Sequence, residues 1–197
     1  MTTAEPERGA PAVAGLARTR DEAQLFLDLR PCERCGSTEM TWESALVFID
    51  GRAARSWFAT CPACGLDRKF TFWAPDPRAL PSRADGVAFG DEQPSGLVDA
   101  GQWLWVADLV AQAIPGDDAA LSSEERAQAR FDLRIAAAAV AEAAKFLPGQ
   151  ADAVPVEALW TDRGLAVYRE EPARFGRLRL ETAYRAYREL ADRLPGA

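Results

Sequence analysis

The residues best suited to chemistry are four cysteines in two copies of the pattern Cys-x-x-Cys-Gly, CERCG at 32–36 and CPACG at 61–65. The chain has no other cysteine and no histidine. A structural zinc ion takes four sulfur or nitrogen ligands at tetrahedral corners, and each pair supplies two of them. The spacing therefore predicts one structural Zn²⁺ per chain, held by Cys32, Cys35, Cys61 and Cys64.

Two other interpretations compete with zinc. A thioredoxin-type redox pair is one, since FATCPAC at 58–64 contains Cys-x-x-Cys, but that chemistry places the first cysteine at a helix N-terminus. Here Cys64 is followed by Gly-Leu-Asp and then by the alternating stretch KFTFW at 69–73, which indicates a strand. Four buried thiols without a ligand role are the other alternative, but burial alone gives no reason for two identical pairs.

The two CxxCG knuckles, with strands between and after them, resemble the zinc-ribbon superfamily over about residues 30–74. This resemblance implies that the four cysteines are the metal ligands. The paired form is also similar to the bacterial double-CXXCG-motif proteins, some of which are immunity partners of secreted toxins. The second resemblance implies a role in binding another protein.

The elements that must position the cysteines are strands. The stretch 40–49 is rich in aromatic and β-branched residues and ends at Asp50-Gly51, a dipeptide typical of a tight hairpin turn. Residues 52–60 predict the returning strand, and 69–73 a third. The 25 residues between Cys35 and Cys61 are enough for one complete hairpin. Residues 25–29, rich in leucine, predict a further short strand that leads into the first pair.

Composition divides the rest of the chain. Residues 1–20 are rich in Ala, Pro, Gly and charge and predict a flexible tail, with a short helix at 13–20 as the alternative. Residues 21–74 are the predicted zinc ribbon. Prolines and glycines at 75–98 predict a linker, and the segment 76–118 around it carries a net charge of −6. Residues 99–197 predict a helical domain.

Four helices are predicted in that domain. Asp99 with Gln102, and Ser122 with Glu125, have the spacing of capping boxes and open the first two helices, which end at Pro115-Gly116 and at about Leu147. A third helix covers Asp162–Glu170, and a fourth begins at Pro172 and ends at about Leu194. Trp103 and Trp105 lie on different faces of the first helix. One should pack inward, and the other either anchors a partner or is buried against a second neighbour.

Charge bears on the class of partner. The chain carries −7 overall, which argues against broad phosphate binding, although a local basic patch remains possible. Residues 30–75 carry +1, which becomes about −1 with four thiolates and one zinc ion. The stretch 163–193 carries +3, and within it Arg174, Arg177 and Arg179 are the least balanced by acids. They could meet phosphate or the acidic segment of the chain itself.

Catalysis has few candidates in this sequence. Without histidine the commonest general base is missing, and a zinc ion bound by four cysteines has no open position for water. The adjacent acids Asp117-Asp118 and Glu170-Glu171 stand at predicted helix boundaries, where solvated acids are common. No nucleotide-binding glycine motif occurs. We therefore expect a protein that is not an enzyme.

The sequence as a whole predicts an α+β protein, with a small three-stranded antiparallel zinc ribbon followed by a bundle of about four helices. No signal peptide or membrane-spanning stretch is recognised, so we expect a cytoplasmic protein. The expected function is binding to a protein partner with a basic surface, as an immunity or regulatory protein. The alternative is a nucleic-acid-associated zinc-ribbon regulator, in which aromatic side chains make a stacking platform for single strands. The candidate aromatics are Trp57, Phe58, Phe70, Phe72 and Trp73; their alternative role is to form the core of the ribbon.

Overall fold

The computed structural model of the chain describes residues 13–75, 87–114 and 122–194. The chain divides into two compact units, Met1–Ala79 and Leu80–Ala197. The first contains a β-sheet and one helix, and the second is helical. The fold is therefore mixed, with four strands and five α-helices among the described residues. None of the described helices combines the length and the apolar character that crossing a membrane requires.

The sheet of the first unit contains β1 (Val13–Leu16), β2 (Glu43–Ile49), β3 (Arg52–Thr60) and β4 (Asp67–Trp73) in the order β1-β4-β3-β2. The predicted hairpin is confirmed: β2 and β3 are antiparallel, and Ile49 pairs with Arg52. Asp50 and Gly51 between them have φ angles of 50° and 77°. Positive φ at both central residues is the geometry that matches the twist of the two strands.

The prediction of a purely antiparallel three-stranded ribbon is wrong in two respects. The sheet has a fourth strand, β1, and this strand is parallel to β4, with Val13 paired to Thr71 and Leu16 to Trp73. Strand β1 lies in the stretch predicted to be a flexible tail or a helix; residues 1–12 of that stretch lie outside the described residues. Its four residues carry little propensity, and their pairing with a distant strand determines their conformation.

The strand predicted at 25–29 is a helix, α1 (Arg20–Asp28). The Thr19 side chain accepts a hydrogen bond from the backbone N–H of Glu22 and caps the helix. The buried Glu22 carboxylate in turn accepts from the backbone N–H of Arg18 at 2.6 Å and from its guanidinium at 2.6 and 2.9 Å. These bonds satisfy donors that a helix N-terminus leaves free and fix the start of α1.

Helix α1 covers one face of the sheet. Phe26 makes edge-to-face contacts with Phe70 and Phe72, with ring centroids 5.9 and 5.2 Å apart. Phe72 and Trp57 are each 1% exposed on the same face. Because alternate residues of a strand point to one side, these aromatic rings form the core between sheet and helix.

The second unit contains α2 (Ala100–Gln112), α3 (Ser123–Ala144), α4 (Asp162–Glu170) and α5 (Arg177–Arg193). Both predicted capping boxes are present, at Asp99 and at Ser122. Helix α3 packs against α2 and α5, and its contact faces are lined by alanines. Small side chains at these positions let the helices approach closely.

Two helix boundaries differ from those predicted. Helix α3 ends at Ala144 instead of near Leu147, and turns follow it. The helix expected from Pro172 onwards is interrupted: Pro172–Phe175 form a 3₁₀ turn, and Gly176 is extended with φ −70° and ψ 141° before α5 begins. Proline sets its own φ at the first position, but the extended Gly176 prevents the turn from continuing as a helix.

The predicted linker, 75–98, falls in part outside the described residues, at 76–86. Residues 87–98 pack within the second unit: the Phe89 ring lies 4.9 Å from the Trp103 ring, and Leu97 and Val98 are buried. These apolar residues give this irregular segment a place in the core of the second unit.

Asp99 joins α2 to α4. Its carboxylate, fully buried, accepts from the backbone N–H of Gln102 at 2.8 Å through one oxygen. The other oxygen accepts from the backbone N–H groups of Trp160 and Thr161, at 3.2 and 2.8 Å, and from the Thr161 hydroxyl at 2.6 Å. One carboxylate thus caps the first turn of α2 and holds the segment that begins α4.

Glycines permit this close approach of the two helices. A Cβ atom at Gly101 would collide with the backbone of Gly164, and one at Gly164 would collide with the Asp99 carboxylate. The obstacles are backbone atoms and a capping side chain, which cannot shift without breaking the hydrogen bonds that surround Asp99.

We predict that Gly101→Ala lowers the free energy of unfolding by about 2–3 kcal/mol, because the added methyl group forces α2 and α4 apart. Denaturant unfolding followed by helical circular dichroism measures the change. Gly96→Ala is the matched control, since a Cβ atom there meets no heavy atom within 4 Å, and its effect should stay within about 0.5 kcal/mol. Equal effects for the two variants would contradict the helix contact.

Candidate metal centre

The two Cys-x-x-Cys-Gly stretches fold into matching knuckles. In the first, the backbone N–H of Gly36 donates to the Cys32 carbonyl at 2.7 Å, and the N–H of Cys32 donates to the Ser37 carbonyl at 2.8 Å. In the second, Gly65 donates to Cys61 at 2.8 Å, and Cys61 donates to the Leu66 carbonyl at 2.9 Å. The same hydrogen bonds therefore recur at the same offsets in both knuckles.

The glycine of each knuckle is required by its backbone. Gly36 has φ +75° and Gly65 has φ +71°, in the left-handed region that residues with a Cβ atom rarely adopt. This reversal turns the chain back after the second cysteine. Both side chains of a pair then point to the same side of the loop.

The knuckles occupy two different connections of the first unit. The first follows α1 and precedes β2, while the second is the turn between β3 and β4, next to the Thr60–Asp67 strand pair. Cys32 is thereby brought next to Cys64, 32 positions along the chain, and Cys35 next to Cys61, 26 positions along. The Arg34 side chain also donates to the Cys64 carbonyl at 3.3 Å, which ties one knuckle to the other.

The four sulfur atoms form one cluster. All lie within 4.8 Å of one another, and the Cys32–Cys64 and Cys35–Cys61 sulfur pairs are both 3.6 Å apart. A disulfide would bring two sulfurs to about 2.0 Å, and all four cysteines are free. A tetrahedron with metal–sulfur bonds of about 2.3 Å has edges of about 3.8 Å. The cluster therefore has the dimensions of a site that can hold one metal ion.

The cluster has a buried side and an exposed side. The first cysteine of each knuckle, Cys32 and Cys61, is buried, whereas Cys35 is exposed and Cys64 is half-buried. Neither pair stands at a helix N-terminus, because β4 follows the second knuckle and an irregular segment follows the first. The redox alternative of the thioredoxin type thus lacks the helix it requires.

The thiols differ in acidity before any metal binds. The backbone N–H of Arg34, followed by that of Cys35 and by the Cys64 thiol, holds the pKa of the Cys32 thiol at about 6. The backbone N–H of Ser37 lowers the pKa of the Cys35 thiol. Desolvation and the neighbouring sulfurs outweigh it and raise the pKa of Cys35 to about 12. One thiolate forms readily, and it opposes further ionisation of its neighbours unless a cation is present.

One guanidinium group, that of Arg68, contacts the first knuckle, and a second, that of Arg30, lies against the helix that precedes it. The buried Arg68 of β4 donates to the Arg30 carbonyl at 2.8 Å and forms an ion pair with Glu33 at 2.8 Å. Arg30 lies over the Phe26 ring, 3.2 Å from its centroid. Burial, and then the nearby charge of Arg68, lower the pKa of Arg30 to about 10. This role of Arg68 was not predicted, although its position two residues before Phe70 places it on the apolar face of β4 and was the available signal.

Only one of the five aromatic side chains predicted as a stacking platform is exposed. Trp57 and Phe72 are buried under α1, and Phe70 contacts both Phe26 and Trp42. The Trp73 ring is covered by Arg52, 4.3 Å from its centroid. Phe58 alone of the five is exposed, at 41%. Its strand neighbours are the acid Glu43 on one side and the base Lys69 on the other.

Two of the three arginines that the sequence leaves without neighbouring acids, Arg174 and Arg177, bind groups of the same chain. Arg174 makes a two-point ion pair with Asp108 of α2, at 2.6 and 2.7 Å, which raises the pKa of the guanidinium. Asp108 lies in the acidic segment 76–118, which was one of the two partners predicted for these arginines. Arg177 donates to the carbonyls of Gly149 and Ala151. A phosphate site built on these three arginines therefore has two of its members already engaged.

The remaining candidates lie apart from the metal centre. Trp103 is fully buried, as predicted for one of the two indoles, and Trp105 is half-buried with Arg163 4.6 Å from its ring centroid. The acids Glu170 and Glu171 are exposed at the end of α4. Asp117 and Asp118 lie outside the described residues. None of the described acids joins the cysteine cluster.

Comparison of the chain with protein-family models, with curated proteins and with solved structures finds no match. The interpretation of the site therefore rests on its own geometry.

We predict that Cys35→Ser abolishes stoichiometric metal binding, because a serine hydroxyl is a poor replacement for a thiolate ligand. Cys35→His should retain the metal, since zinc sites accept three cysteines and one histidine. Elemental analysis of purified protein together with native mass spectrometry measures the ion content. Retention of a full equivalent of metal by the serine variant would contradict the four-sulfur site.

We also predict that metal binding releases protons and strengthens as pH rises. At neutral pH the Cys32 thiol, with a pKa of about 6, is ionised, whereas Cys35, with a pKa of about 12, still carries its proton. Metal coordination requires the thiolate, so the Cys35 proton must leave, and acid competes with the metal. Titration calorimetry in buffers of different ionisation enthalpy counts the protons. A heat that is independent of the buffer would contradict this coupling.

Proposed function

We propose that the metal is Zn²⁺, bound by Cys32, Cys35, Cys61 and Cys64 at one ion per chain in a structural role. The observation that carries this proposal is the cluster of four sulfurs within 4.8 Å of one another. A set of four soft thiolates favours zinc among the common metals of proteins, with iron–sulfur chemistry as the main competitor. Four protein ligands also complete the coordination of zinc and leave no position for a reacting water.

We infer that the protein is not an enzyme and acts by binding another protein, as an immunity or regulatory partner. Three features support this inference. The ligand set is closed, the chain lacks histidine, and the net charge of −7 favours a basic partner such as a nuclease-type toxin. The resemblance to the double-CXXCG-motif proteins points to the same class. The metal centre then serves to hold the first unit in one conformation for recognition.

Nucleic-acid binding is the second candidate, and Phe58 is the observation in its favour. An exposed aromatic ring beside Lys69 could stack on one base and approach one phosphate. The neighbouring Glu43 and the small net charge of the ribbon oppose a phosphate backbone. One aromatic ring with a single basic side chain beside it gives little affinity for a nucleic acid.

We predict that the zinc-loaded protein binds a basic protein of its own cell and shows no measurable binding to DNA or RNA. The tagged protein, and Cys35→Ser as the control expected to lack bound metal, would be used for affinity capture from the native lysate with and without nuclease. A stoichiometric basic partner that survives nuclease, depends on the intact cysteines and rebinds as a purified protein is the expected result.

Binding of labelled single-stranded DNA and RNA over a range of salt concentrations tests the alternative. Affinity that falls steeply with salt, and that Phe58→Ala or Lys69→Ala removes, would replace the protein-partner proposal with the nucleic-acid one. The expected result is no measurable binding even at low salt.

A further inference from the structure

Strand β2 lies at the edge of the described sheet, with β3 on one side only. In a hairpin with a two-residue turn, the residues that flank the turn, here Ile49 and Arg52, exchange backbone hydrogen bonds. Every second residue back along β2 does the same. The backbone N–H and C=O groups of Ser44, Leu46 and Phe48 therefore point away from β3, towards the open edge.

The side chains of the same three residues share the face of the sheet that carries the aromatic core. Ser44 pairs with Trp57 and Leu46 with Arg55, and directly paired residues lie on one face. Leu46 is 54% exposed and Phe48 is 69% exposed. The apolar face under α1 therefore continues outwards to an edge at which two large apolar side chains lie in solvent.

Beyond Glu43 at its first position, the edge strand carries none of the usual protection. The stretch SALVFI at 44–49 has no charged residue, proline or glycine. Its pairing with β3 runs through seven consecutive residue pairs without a register shift, so no bulge bends the edge away. Native proteins place charges, prolines or bulges on exposed edges because such edges pair readily with other strands. An unprotected edge is expected where pairing is part of the assembly.

We propose that β2 pairs antiparallel with β2 of a second copy of this chain, about a two-fold axis at Leu46. In this register Leu46 faces Leu46 of the second copy, and Ser44 faces Phe48. All the outward N–H and C=O groups of these three residues find partners. The two sheets join into one continuous sheet, and the exposed leucines and phenylalanines of both copies lie side by side on a single face.

The sequence of β2 fits its own copy. Glu43, the one charged residue of the strand, stands opposite Ile49, so no like charges face each other across the axis. The bulky Phe48 stands opposite the small Ser44, which leaves room for the ring. A two-fold axis requires one surface patch to be complementary to itself, and this register meets that requirement.

The proposal is separate from binding of a foreign protein and is tested on the full zinc-loaded chain. Sedimentation or light scattering over a concentration range should show a mass near twice that of the 21.4 kDa chain. Leu46→Lys places two like charges against each other at the axis and should weaken dimerisation about a hundredfold or more. Leu109→Lys is the matched control, since Leu109 of α2 is 52% exposed, and it should leave the dimer intact.

A charge swap separates pairing at this axis from a general loss of folding. Leu46→Lys and Leu46→Glu should each be monomeric alone and should form a mixed dimer when combined, because opposite charges then meet at the axis. Circular dichroism and metal content verify that both variants fold. A wild-type chain that remains monomeric at every concentration, or a Leu46→Lys variant that dimerises like the wild type, would overturn the proposal.

Discussion

Four sulfur atoms held within 4.8 Å of one another are the constraint on which the first unit depends. As thiolates they repel, and as thiols they make only weak hydrogen bonds, so the protein alone gains little from bringing them together. A divalent cation at the centre would reverse this balance. It would join the α1–β2 connection to the β3–β4 turn, to which Arg34 and Arg68 add further contacts. The aromatic core of this small sheet would then lie between two connections that the ion holds together.

In the second unit a carboxylate, that of Asp99, holds together two separate chain segments. Asp99 accepts hydrogen bonds from both of the chain segments that begin α2 and α4, much as a metal collects ligands from separate loops. Gly101 and Gly164 provide the space that this arrangement needs. Burial of this polar group is compensated by several donors at once, which is the condition under which a buried polar group is tolerated in a fold.

Local patterns made part of this structure predictable. The cysteine spacing and Asp50-Gly51 indicated the knuckles and the hairpin, because metal geometry and turn geometry demand particular residues. Helix α1 was missed because its leucines were interpreted as a strand, although Thr19 and Glu22 have the spacing of a capping box. Strand β1 could not be predicted, since four residues without strong propensity gain their conformation from β4, far along the chain.

The parallel pairing of β1 with β4 has a consequence for the order of folding. Val13 is made well before Thr71, its partner, and the hairpins between them can close locally as soon as they leave the ribosome. Parallel partners require a long crossover, and here the crossover contains α1, both knuckles and two strands. The entropic cost of bringing β1 and β4 together is therefore lowest once α1, the knuckles and the two strands have formed. The earliest segment of this sheet to be synthesised is the last that can join it.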